Sequence, residues 1–121
     1  MADPYPVSEK LRTTLRGFPA ATIAACAEFE ATGDRAALDR AVLALVEHHL
    51  SPPPPRPLST YPGSTKLVAE LGLDSITMVE LVFLFEDLFG AKLPQDKLVA
   101  VVTIDDLRAL VQAQLPPRVA S

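Results

Sequence analysis

Apolar residues recur at intervals of three and four along most of this chain, and nowhere in the strict alternation that marks a half-buried strand. SEKLRTTLRG, residues 8–17, predicts a short helix with Ser8 as its cap and Leu11 and Leu15 on one side; Gly17 and Pro19 end it. AATIAACAEFEATG, residues 20–33, predicts a second, alanine-rich helix closed by Gly33. A third starts after Asp34, which caps it, and Leu38, Ala41, Val42, Leu45 and His49 fall on one stripe. The next helix spans Ser75 to Phe89 and stops at Gly90. KLPQDKLVAVV, residues 92–102, reads as a bridge with one helical turn. The last helix follows Thr103, has acids in its first turn, and buries Ile104, Leu107, Leu110 and Val111. With no strand pattern and no internal repeat, the fold class is all-α.

The connections differ in character. Residues 1–6 contain Pro4 and Pro6 and are expected to fray, and PPRVAS, residues 116–121, reads as a tail. In SPPPPRPLSTYPG, residues 51–63, six of thirteen positions are proline, which predicts a stiff, partly polyproline connector. A PxxP ligand is the sharper reading of the same residues, and a rigid loop between helices accounts for them as well. In STKLVAELGLD, residues 64–74, Leu67, Val68 and Leu71 are expected to anchor the loop in the core.

The Ser75–Phe89 helix raises the functional question. Its wheel gathers Met78, Leu81, Val82, Phe85, Leu88 and Phe89 on the core side. The opposite side carries Glu80 and Asp87, flanked by Ile76 and Phe83, with Thr77 and Leu84 close by and Val79 and Glu86 at its edge. A well-solvated helix with a few extra hydrophobes is the bland reading. Large apolar groups set among acids suggest a docking surface instead.

Charge sharpens the second reading. The net charge is −4, and from Glu70 to Asp87 there are five acids and no base. Nucleic-acid binders need a basic footprint, so that class is excluded, and basic protein partners are favoured. At 121 residues with 49% apolar content the chain is expected to form one domain, with no segment approaching the roughly 18 apolar residues of a membrane span. The start, MADPYPVSEK, has no apolar or Arg-rich leader character, and Cys26 stands alone, so a cytoplasmic protein without disulfides is expected. Cys26, His48 and His49 are a poor metal set, and no metal is expected.

Ser75 lies at the mouth of this helix. It is either a simple cap or, if Asp74 caps in its place, a hydroxyl left pointing outward. A phosphate on that oxygen would face the positive end of the helix dipole. A nucleophile role is disfavoured: there is no Gly-x-Ser-x-Gly elbow, and the two histidines lie on another helix.

LGLDSITMVELVFLFEDLFGAKLP, residues 71–94, followed by VVTIDDLRALVQ, residues 101–112, closely resembles the acyl carrier protein family, which includes peptidyl carrier domains. The likeness begins loosely near Asp34 and is tight from Leu71 to Val111. It implies a four-helix bundle with a short third helix near Asp96–Ala100, occupying residues 34–115, with residues 1–33 as a helical N-terminal extension. It implies that a phosphopantetheinyl transferase attaches 4′-phosphopantetheine from coenzyme A to Ser75, with Asp74 engaging the transferase. Ile76, Val79, Glu80, Phe83, Glu86 and Asp87 match the family's partner-docking positions.

The implied protein is a monomeric carrier and not an enzyme. Its partners are loading, synthase or acyltransferase enzymes with basic docking patches, serving a specialised fatty acid, lipid or polyketide pathway. The alternatives are a peptidyl or aminoacyl carrier, and a structural subunit that uses the fold as an interaction module. The pattern also departs from the family. Thr77 and Leu88 stand at often acidic positions, and Phe85 and Phe89, if both turned inward, fill space in which family members shelter an acyl chain.

Overall fold

The computed structural model describes residues 5–50 and 53–115; the expectations for residues 1–4, Ser51, Pro52 and the tail at 116–121 lie outside them. The described residues form six α-helices: α1 Glu9–Thr14, α2 Ala20–Thr32, α3 Arg35–His48, α4 Ser75–Phe89, α5 Gln95–Leu98 and α6 Ile104–Ala113. A 3₁₀ turn, Leu58–Thr60, lies in the proline-rich connector. No strand occurs among them; Lys66 and Thr103 make a single isolated antiparallel bridge. The all-α expectation holds.

Most helix starts follow from their caps. Ser8 accepts the Leu11 N–H at 3.2 Å, Asp34 that of Ala36 at 3.2 Å, and Asp74 that of Thr77 at 2.7 Å. α6 has a capping box: Thr103 Oγ1 accepts the Asp106 N–H, while Asp106 Oδ2 accepts the N–H groups of Thr103 and Val102. α2 ends at Gly33 and α4 at Gly90, both in the left-handed conformation that glycine takes without strain.

One core joins the parts. Leu38 and Leu45 of α3, Leu81 and Phe85 of α4, and Leu107 and Val111 of α6 are all buried. Leu11 of α1, Leu15 just past its end, and Cys26, Ala27 and Phe29 of α2 belong to the same cluster, so residues 5–33 pack onto the bundle. Two polar ties reinforce that packing: Glu28 pairs with Arg40 at 2.8 Å, and Thr14 donates to Asp87 at 3.2 Å; within the extension, Ser8 donates to Glu30 at 3.3 Å. Across the bundle, Asp39 of α3 accepts from Arg108 at 2.7 Å and Gln112 at 2.8 Å, clamping α3 to α6. The proline-rich connector is held by Leu58, which is buried and whose N–H donates to Glu47.

Several side chains sit differently from the sequence pattern. Leu67 is buried as expected, but Val68 is 63% exposed, and Leu73 is the second anchor. The reason is the tight turn in which Glu70 and Leu71 both donate to the Lys66 carbonyl; it rotates Val68 outward. Leu110 and His49 are only half-buried. Met78 and Val82 are also half-buried, because α5 is one short turn and leaves an opening beside α4.

Candidate functional site at the start of helix α4

The segment before α4 is built to hold Ser75 outward. Leu67 donates to the Val102 carbonyl at 2.9 Å, Ile104 to that of Thr65 at 3.0 Å, and Asp105 to that of Gly63 at 3.0 Å. These bonds fasten the loop to the start of α6. A Cβ at Gly63 would meet the exposed Asp105 carboxylate, which would have to swing aside to admit it. Gly72 has φ 78 in open space, so it is the backbone turn and not a close contact that calls for glycine. Leu73 then plugs into the core, and Asp74 begins the helix.

Asp74, not Ser75, is the cap. Hydrogen bonds from the Thr77 backbone, and in smaller part from Ile76, hold its carboxyl below the usual aspartate value. Ser75 is therefore the first helical residue, exposed, and none of the hydrogen bonds among the described residues uses its hydroxyl.

The outward face of α4 is where the wheel placed it. Ile76 is 72% exposed, Phe83 65% and Val79 52%, and Glu80 and Asp87 are exposed as well. The acids are not equivalent. Glu86 is half-buried, and its carboxylate accepts the Leu93 N–H at 3.3 Å. Asp87 accepts from Thr14. Among the described residues only Glu80 of the three makes no such bond.

A groove of about 640 Å³ opens beside Ser75 between α4 and α5. Met78, Val82, Leu93, Leu98 and Val101 line it, with Ser75 and Asp74 at its edge. Val68, Phe83 and Val99 also border it and are strongly exposed. The wheel of one helix missed this feature, because Val68 and Val99 come from other segments and only the closed fold brings them together. A larger groove, about 700 Å³, lies between α2 and α3, and none of the expected site residues lines it.

The histidines are elsewhere. His48 stacks on Phe18 at 4.1 Å, and the Nδ1 of His49 lies 2.8 Å from the Leu45 carbonyl. Neither lines the Ser75 groove, and no metal-binding cluster occurs among the described residues. No helix among them is long and apolar enough to cross a membrane.

Comparison with known proteins decides the family. The family described as "Phosphopantetheine attachment site" matches residues 62–111. Acyl carrier protein 3 of Ralstonia nicotianae is 32% identical over 77 residues, covering 64% of this chain and 88% of that protein. The chain belongs to the acyl carrier protein family.

The acyl carrier protein of Afipia carboxidovorans is 34% identical over 62 residues, covering 51% of this chain and 73% of its own. That of Rhodopseudomonas palustris is 40% identical over 43 residues, covering 36% of this chain and 54% of its own. No solved structure matches significantly. This member of the acyl carrier protein family is thus a carrier with a phosphopantetheine attachment domain, and its cofactor is 4′-phosphopantetheine.

The residues at the start of α4 suit that group. An exposed hydroxyl stands at the positive end of a 15-residue helix, where a phosphodiester is electrostatically favoured. The groove beside it is lined mostly by apolar side chains. The chain's own thiol does not compete. Cys26 is buried in the core, and burial, aided by Glu30, pushes its pKa up to about 12, so it carries no thiolate near neutral pH.

Proposed function

We propose that Ser75 is the attachment point, and that this protein is an acyl carrier holding an apolar acyl intermediate for enzymes of a specialised fatty acid, lipid or polyketide pathway. The observation that carries the reading is the exposed Ser75 hydroxyl, released from capping by Asp74 and set at the mouth of an apolar groove. Ser75 Oγ attacks the coenzyme A phosphorus that bears pantetheine. The new O–P bond forms as the anhydride P–O bond breaks, the adenosine bisphosphate leaves, and the serine proton passes to a base of the transferase. Once bound, the arm supplies a terminal thiol that holds cargo as a thioester.

The chain then needs no catalytic base of its own, since the chemistry belongs to its partners. Phosphopantetheinyl transferase engages Asp74, and synthases or acyltransferases with basic patches read Ile76, Val79, Glu80, Phe83, Glu86 and Asp87. Exposed acids steer such encounters, and the apolar groups between them supply contact area, a combination suited to fast, short-lived complexes. No helix of the described residues spans a membrane, in keeping with partners met in solution.

The groove favours an acyl cargo over an aminoacyl one. Asp74 is the one titratable side chain among its lining residues, and it sits at the edge. An alkyl chain gains by burial there, whereas a charged amine would be desolvated without a partner. Loading the carrier from octanoyl- and from glycyl-coenzyme A tests this. The octanoyl form is expected to melt above the unacylated holo protein and the glycyl form not; the reverse order would favour the aminoacyl carrier.

A further inference from the structure

We propose that Phe29, on the N-terminal extension, sets how long a cargo the groove beside Ser75 accepts. The inference rests on the reading of Ser75 as the attachment point and of the groove as the resting place of the cargo.

Met78, Val82, Phe85 and Phe89 follow one another at helical spacing and form one row along α4. The first two are half-buried and line the groove. Phe85 is fully buried and Phe89 nearly so. Their rings stack with centroids 6.1 Å apart and planes 21° apart. Phe29 meets Phe89 edge-on, at 5.5 Å and 87°. The row that lines the groove at Met78 and Val82 thus continues into the core as Phe85 and Phe89, behind the groove's own lining, with Phe29 of α2 against Phe89.

Phe29 is firmly held. Cys26 and Ala27, on the turn before it, are buried, and its carbonyl accepts the Gly33 N–H at 2.8 Å in the closing turn of α2. A cargo that outgrows the groove must displace Phe85 and Phe89 or leave its end in water. Phe29 stands edge-on against Phe89, so a retreat of Phe89 toward α2 displaces Phe29, and close-packed interiors yield little without loss. The extension therefore acts on the cargo through Phe89, as a positioning element and not as a contact of the thioester.

The test compares full-length wild type, Phe29→Ala and Phe29→Leu, each loaded by a broad-specificity transferase from acetyl-, butyryl-, octanoyl- and palmitoyl-coenzyme A. Intact mass confirms loading, and the thermal midpoint is read against chain length. The wild-type midpoint is expected to rise from acetyl to octanoyl and no further. In Phe29→Ala the rise continues to palmitoyl, and Phe29→Leu, the milder change, is intermediate. Should the alanine variant fold poorly, the leucine variant still decides. Variants that melt lower but keep the wild-type length profile would overturn the proposal, because Phe29 would then be packing alone. A wild type that takes up no acyl arm would overturn the attachment reading, and this inference with it.

Discussion

The carboxylate of Asp74 accepts the backbone N–H of Thr77 at 2.7 Å, and this bond separates two roles that the sequence left merged. One residue starts the helix; the next keeps its hydroxyl exposed. Asp74→Ala is expected to lower thermal stability through loss of the cap and also to slow loading by the transferase. Asp74→Asn caps nearly as well, so it is expected to keep the melting temperature while still slowing loading. Equal loading by the asparagine variant and wild type would limit Asp74 to its structural role.

The three acids of α4 should respond unequally to substitution. Glu80→Lys is expected to slow loading and acyl transfer most, with weaker dependence on salt, because its carboxylate is exposed and makes no hydrogen bond among the described residues. Asp87→Lys should follow, since Thr14 already engages that carboxylate. Glu86→Gln should matter least to transfer, because its oxygen is committed to the Leu93 N–H. Rates measured at low and high salt would check the order, and unchanged rates at low salt would remove these residues from the docking face.

Acid should weaken the fold from about pH 4 downward. Burial alone would raise the carboxyl pKa of Asp39, but hydrogen bonds from Arg108 and Gln112 and the guanidinium charge outweigh it and lower it. Asp74 and Asp106 are lowered by backbone N–H groups. Groups whose folded pKa is depressed add stability above their unfolded value, and that stability is lost as pH falls through the folded value. Asp39→Ala is expected to cost about 1 kcal/mol near neutral pH, at the low end for a charged hydrogen bond because Arg108 is a third exposed. Urea midpoints between neutral pH and pH ~3 would check both points, with a shallower acid decline expected in the variant.

The helices were legible because their signals are local. Ser8, Asp34 and Thr103 announced the starts they cap, Gly33 and Gly90 the ends, and the Leu81–Phe85–Leu88 stripe the buried side of α4. Ser75 and the mixed acidic and apolar face were equally visible. Features made by closure were not. Val68 looked like an anchor until the turn at Lys66 rotated it out, and Met78 and Val82 looked like core until the short α5 left them beside a groove. The bond from Thr14 to Asp87 and the contact of Phe29 with Phe89 join residues far apart in the chain, and no periodicity encodes them.

Whether Ser75 carries the arm can be read from intact-protein mass spectrometry. Wild type and Ser75→Ala would each be incubated with coenzyme A and a broad-specificity phosphopantetheinyl transferase. Wild type is expected to gain one phosphopantetheine and the variant none, and the variant's helical circular dichroism should match wild type because Asp74 still caps α4. Modification of the variant at another residue would contradict the site. No gain on wild type with several transferases would contradict the carrier reading of Ser75 and favour a structural role for the fold.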